Sequence, residues 1–198
     1  DSTVDVNKGY SLDALIKQLE KRKGEVRKDL VDITATVIDY IEGINNYSLF
    51  SRELKAPLIL PKDLKKSGEV IEKLKAGKVV RIRFKAEKVT YFDEDGKQHE
   101  GHSNRIEEIV DVEEVDIKKE SIWDGVFTAF PTDFGVMVKC DGEYYIIRTN
   151  TANGKRLEAL VANEGEATII ASLSAVRRHS TFTKVSGIYF LTLKQVEE

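Results

Sequence analysis

The sequence predicts a mostly β protein made of two consecutive five-stranded units, each with one helix, preceded by an N-terminal helix. Three observations lead there. Period-two alternation of apolar and polar residues recurs along most of the chain. Two glycines placed to end helices, Gly77 and Gly165, stand 88 positions apart in similar surroundings. The chain has 198 residues, 41% hydrophobic and 33% charged, which suits a soluble globular protein of one large or two small domains. The expected divisions are residues 1–28 as tail and helix, 29–117 as the first unit and 118–198 as the second.

Taken in order, residues 1–10 are polar and aperiodic. Ser11 is placed to cap a helix carrying Leu12, Leu15, Ile16 and Leu19 on one side and Lys17, Glu20 and Lys21 on the other. Helical spacing continues through Val26, Leu30, Ile33 and Val37. The β-branched composition of 31–41 nevertheless favours a strand, with Val31, Ile33, Ala35 and Val37 on one face. Asn45-Asn46 marks a turn. Tyr47–Arg52 and Leu58–Leu60 read as short strands, the second bracketed by Pro57 and Pro61. Asp63 to Ala76 reads as a helix with Leu64, Val70, Ile71 and Leu74 apolar. Residues 79–89 alternate, with Val80, Ile82, Phe84 and Ala86 opposed to Arg81, Arg83 and Lys85. Asp95-Gly96 signals a turn in a polar loop over 93–105, and 106–117 is a strand region with acidic polar positions.

After a short linker, Lys118-Lys119-Glu120, the order repeats. Strands are expected over 122–130, 134–140 and 143–149, with Asp141-Gly142 as a hairpin turn. A helix follows within 150–163, then a strand over 167–176, a polar loop over 177–186 and a last strand over 187–196. Each unit therefore reads β-β-β-α-β-β. The halves share order and spacing but negligible sequence identity.

Five strands with a helix between the third and fourth is the element order of the OB-fold, a small, partly open Greek-key barrel. On that order, residues 29–198 resemble tandem OB domains similar to the tRNA-anticodon-binding OB family. The proline-bracketed third strand of the first half departs from the pattern. The competing architecture is an unrelated β-barrel or sandwich with two inserted helices. The resemblance implies binding rather than catalysis, with single-stranded nucleic acid as the ligand. It also implies that the loop between the last two strands contacts that ligand.

Organised catalytic chemistry is not evident. The histidines are His99, His102 and His179, and no nucleophile motif, phosphate-cradling glycine loop or His-Glu-x-x-His is present. Cys140 precedes a tight turn without a neighbouring base. As the single cysteine it excludes an internal disulfide framework and a cysteine-rich zinc site. Residues 93–102 combine carboxylates with two imidazoles, but Gly96 falls too early for an EF-hand loop. A solvated hairpin loop is the expectation, and no cofactor or metal is implied.

The charge map says more. The total is 31 basic and 34 acidic residues, so no basic footprint covers the whole chain. Residues 52–88 hold 12 Lys/Arg against 5 Asp/Glu, and residues 93–120 hold 4 against 11. Arg81, Arg83 and Lys85 could form a basic groove flanked by Tyr47 and Phe50. Alternatively they face Asp111, Glu113 and Glu114 across a ladder, which would cancel the field a phosphate needs. That pairing is the favoured expectation. In the second unit, Arg177, Arg178 and Lys184 flank Phe182, and Lys139, Arg148 and Tyr144 or Tyr145 stand ready to extend the set. Trp123, Phe127, Phe130 and Phe134 are assigned to the core and to packing between the units.

The leading expectation is a non-catalytic binding protein for single-stranded nucleic acid. The second is a protein-interaction or structural module, compatible with export, that docks a partner or self-associates through the N-terminal helix. A metal enzyme using 93–102 ranks third. No uncharged apolar run approaches the ~20 residues of a spanning helix, and the Lys/Glu mixture of the first helix argues against membrane insertion. The chain starts at Asp1 rather than Met, which fits a processed, partial or trimmed chain. Localisation is left open.

Overall fold

The computed structural model describes residues 29–197. The helix expected at Ser11 to Lys21 lies outside the described residues. The first sheet comprises β1 (Leu30–Glu42), β2 (Asn46–Ser51), β3 (Leu58–Pro61), β4 (Val79–Phe92), β5 (Gln98–His102) and β6 (Glu108–Val115). Helix α1 (Ser67–Lys75) lies between β3 and β4, and the single turn α2 (Ile117–Glu120) occupies the expected linker. The second sheet comprises β7 (Gly125–Thr132), β8 (Gly135–Cys140), β9 (Glu143–Ile147), β10 (Ala167–Arg178) and β11 (Thr183–Thr192). Helix α3 (Ala152–Glu164) precedes β10, and α4 (Leu193–Glu197) ends the described chain.

The second sheet is a closed barrel in the order β7-β8-β9-β11-β10, returning to β7. All pairs are antiparallel except β9 with β11, which run parallel from Thr183 opposite Tyr145 to Val185 opposite Ile147. The first sheet has the order β3-β2-β1-β4, with β5 and β6 sharing the far edge of β4. It curls until its ends nearly meet. The Ile59 N–H donates to the Asn104 carbonyl at 2.8 Å, and the Ile106 N–H donates to the Ile59 carbonyl at 2.9 Å. That single parallel bridge stands where the second barrel has a ladder. The architecture is thus mostly β, with one closed five-stranded barrel and one half-barrel, and is compatible with an OB-like fold. The expectation of two equal five-stranded barrels is corrected: the first sheet has six strands and is not closed by a full ladder.

The extra strand is β5. The sequence pattern makes 93–105 a loop, because Gln98-His99-Glu100-Gly101-His102 carries no apolar alternation. Their backbone nevertheless extends the hairpin of β4 beyond the barrel, pairing Lys88 with His102 through Phe92 with Gln98. The turn is held locally: the Asp93 carboxylate accepts from the amides of Asp95 at 3.0 Å and Lys97 at 2.9 Å. In the second half, β11 begins at Thr183 rather than 187, which shortens the loop expected over 177–186 to residues 179–182.

The helices end as their sequences require. Gly77 and Gly165 both adopt positive φ, 78° and 79°, which lets each chain leave its helix without a Cβ clash. The Thr151 hydroxyl caps α3 by accepting from the Gly154 amide at 2.9 Å.

Each sheet wraps its own core. In the first, Val37, Leu49, Leu58, Ile82, Phe84 and Ile106 are fully buried around Val70, Ile71 and Leu74 of α1. In the second, Val138, Ile169, Val185 and Ile188 pack on Leu157 and Val161 of α3. A third cluster joins them: Ile38, Val79 and Val115 of the first sheet meet Ile122 and Tyr189, with Trp123 and Leu191 at its border. The register of β1 against β2 shifts between Val37 and Asp39, and there β1 turns from its own core toward the second barrel. Polar links reinforce the joint. The Ser174 hydroxyl donates to the Ser51 carbonyl, and Arg52 Nε donates to Ser172 Oγ at 2.8 Å. Among the described residues no helix is long and apolar enough to cross a membrane.

Candidate ligand face of the second barrel

Alternation along β8 and β9 sorts their side chains into two sets. Val136, Val138, Tyr145 and Ile147 belong to the core, and Tyr145 meets Phe127 edge-on at 5.8 Å between ring centroids. Met137, Lys139, Tyr144 and Ile146 therefore stand on the outer surface. The ladder pairs them as Met137 with Ile146 and Lys139 with Tyr144. The Lys139 ammonium lies over the Tyr144 ring, 5.2 Å from its centroid, and the tyrosine is 41% exposed.

Strand β11 adds Lys184 beside Ile146, and β10 adds Arg177 opposite Lys184. Both cations are exposed. Like charges directly opposite each other on a ladder destabilise it slightly, so this pair favours an anion nearby. Arg148 lies one residue past β9, half-buried, where its amide donates to the Val185 carbonyl at 2.8 Å. It continues the outward alternation of Tyr144 and Ile146. The result is a row running Arg177, Lys184, Ile146, Met137 across four strands, with Tyr144 and Lys139 alongside.

Not all the expected residues gather there. Arg178 has the opposite parity and pairs with Glu143 at 3.1 Å. Phe182 tilts against His179, ring centroids 5.1 Å apart, in the short loop between β10 and β11. Arg177, Arg178 and Lys184 stand on strands, not in that loop, because β10 and β11 are longer than their sequences suggested. Met137 and Ile146 are members of the face that sequence reasoning missed. The signal was present: they alternate with Val136, Val138 and Ile147, but apolar residues on both sides of a strand conceal which side is buried. Phe134, expected in the core, is 84% exposed at the β7–β8 turn, because that turn leaves no second layer over it.

The basic strand of the first sheet is flanked by acids. Arg81 pairs with Glu113, Arg83 with Asp111 and Lys85 with Glu108 across β6, while Asp32 of β1 lies opposite Lys85 on the other side. Glu114 is not part of this set. Its place on the ladder is opposite Val80, and its carboxylate receives Lys73 at 3.1 Å. Arg81 is bound by both carboxylate oxygens of Glu120, which raises the Arg81 pKa and lowers that of Glu120. Glu120 belongs to α2, so the expected linker supplies a partner for this strand.

Other reactive groups are accounted for by their surroundings. Burial, and then the adjacent Asp141, pushes the Cys140 thiol up, away from the thiolate a nucleophile needs. His99 bonds Asp93 at 2.7 Å and stacks on Tyr91 at 5.3 Å; the bond to His99 lowers the Asp93 pKa. Among the described residues no group of three or more His, Cys, Asp or Glu is arranged to hold a metal ion. Comparison of the chain with models of protein families, with curated proteins and with solved structures finds no match in any of the three.

Proposed function

We propose that the chain is a non-catalytic binding protein whose second barrel holds a short single-stranded nucleic acid on the outer face of β8, β9 and β11. In this reading residues 118–198 are the binding domain and 29–117 the domain that braces it, and the resemblance to anticodon-binding OB domains extends to the ligand. One observation carries it: an exposed aromatic ring and an apolar floor, Tyr144 with Met137 and Ile146, are bordered by Lys139, Arg177 and Lys184. Bases stack on such rings while cations neutralise phosphates. The acids beside Arg81, Arg83 and Lys85 argue that the first sheet contributes little.

The test is fluorescence anisotropy with labelled oligonucleotides across a salt series. A base–aromatic stack is worth ~1–3 kcal/mol, so Tyr144→Ala should weaken binding about 5- to 150-fold. Replacing Arg177 and Lys184 together should reduce the salt slope by about 1.4, at ~0.7 per phosphate contact. Absence of binding at low salt rejects this reading. Phe134, 84% exposed at the β7–β8 turn, favours a second one, a protein partner on the same barrel. A partner packed there would bind with little dependence on salt.

A further inference from the structure

Among the described residues Asp39 is the only buried charged side chain, 1% exposed, and it sits at the joint between the two sheets. Its Oδ1 accepts from the Asn153 amide at 3.0 Å and from the Tyr40 amide at 2.9 Å. Its Oδ2 accepts from the Ile188 amide at 3.2 Å. The Thr151 hydroxyl is a further neutral partner. Three of these donors belong to the second half: Thr151, which caps α3, Asn153 in its first turn, and Ile188 on β11. Asn153 bonds back to β1, its Nδ2 donating to the Ile38 carbonyl at 2.6 Å.

Several ionisable groups on the surrounding elements have partners or packing of their own. On β1, Glu42 is paired with Lys62, and Lys75 of α1 acts on Glu42. On α3, Arg156 bonds Asn153 Oδ1 at 2.8 Å and lies over the Phe190 ring. Tyr40 packs on Tyr47 of β2, Tyr189 of β11 is buried in the joint, and Arg81 of β4 is held by Glu120. No cation pairs with Asp39 among the described residues.

A carboxylate buried without a cation is costly, and backbone N–H groups with the α3 N-terminus offset only part of that cost. We propose that Asp39 makes the joint responsive to pH: the barrels lock together in acidic solution and loosen as it becomes neutral. Burial raises the Asp39 pKa from 3.8 to about 6, against the opposing pull of its hydrogen bonds. A group that holds its proton more tightly in the joined state favours joining while it is protonated. The advantage is complete below about 3.8 and is lost as pH rises through about 6. The corresponding change in the equilibrium between joined and parted barrels is on the order of 100-fold.

The test uses the full chain and follows hydrogen exchange at the Asn153 and Ile188 amides from pH 5 to 8, corrected for intrinsic base catalysis. Protection of these two amides should fall about tenfold over this range, while Ile82 and Phe84 in the first core change little. Asp39→Asn should remove the pH dependence. Flat protection in the natural chain, or an unchanged slope in the variant, overturns the proposal. Because the carboxamide introduced by Asp39→Asn presents an N–H toward backbone donors and can weaken the fold, the Asp39 carboxyl carbon is also titrated by NMR in the natural chain. A midpoint near 6 supports the proposal and one below about 4.5 overturns it.

Discussion

Gly187 is a position where the two sheets approach closely, and substituting it probes the joint directly. A Cβ built there meets the Cβ of Phe50 well inside contact distance and lies 2.8 Å from Phe50 Cγ. Carbon atoms in van der Waals contact sit ~3.5–4.0 Å apart, so Gly187→Ala must push β11 and β2 apart by about 1 Å. No rotamer of Phe50 relieves this, because the obstructing Cβ is fixed to the backbone and the ring is itself buried. Overpacking of this kind costs ~1–3 kcal/mol and occasionally more. At ~2–4 °C per kcal/mol for a chain of this size, the melting temperature should fall by about 2–12 °C. The assay is differential scanning calorimetry of the natural chain, Gly187→Ala, Phe50→Ala and the double variant. Since Phe50→Ala removes the ring but keeps the Cβ, Gly187→Ala should retain most of its cost in that background. A drop of less than about 1 °C for Gly187→Ala alone would refute the close-packed joint.

Two further outcomes follow from individual contacts. Gly154→Ala should destabilise more than an ordinary helix substitution, because its Cβ would overlap the Arg148 carbonyl and stand 2.7 Å from the Thr151 hydroxyl that caps α3; urea unfolding measures this, and an unchanged midpoint contradicts the geometry. Arg81→Gln should leave oligonucleotide affinity within about twofold and lower stability by no more than ~1 kcal/mol, since its partner is the half-exposed Glu120; a large loss of affinity would place the ligand on the first sheet instead.

Much of the fold is legible in local pattern. The alternation of 79–89 and the glycines after each helix predict strands and helix ends because those features depend on near neighbours in the chain. Strand β5 escapes the same reasoning, since its pairing with β4 comes from backbone hydrogen bonds beside a tight turn and not from burial of apolar side chains. The ends of β10 and β11 escape it too, because Arg177, Arg178 and Lys184 look like loop residues until the ladder is known. Register matters most for the site. Which acid faces Arg83, and whether Tyr144 or Tyr145 looks outward, depends on pairings between distant segments. Asp39 shows the limit clearly: within Val37-Ile38-Asp39-Tyr40 nothing local marks a carboxylate that amides over a hundred positions away will enclose.

That separation along the chain bears on synthesis. Asp39 and its partners Asn153 and Ile188 are 114 and 149 residues apart. At ~5–20 residues per second the second amide emerges about 7–30 s after the carboxylate. Through that interval the first sheet can curl around its own core with Asp39 hydrated at its surface, where an ionised carboxylate carries no desolvation penalty. The penalty for enclosing it arises only when the second barrel arrives. A nascent first half is therefore spared an unfavourable burial, and Asp39 keeps a charge on the surface that the second barrel later covers, which helps to keep neighbouring nascent chains from adhering there.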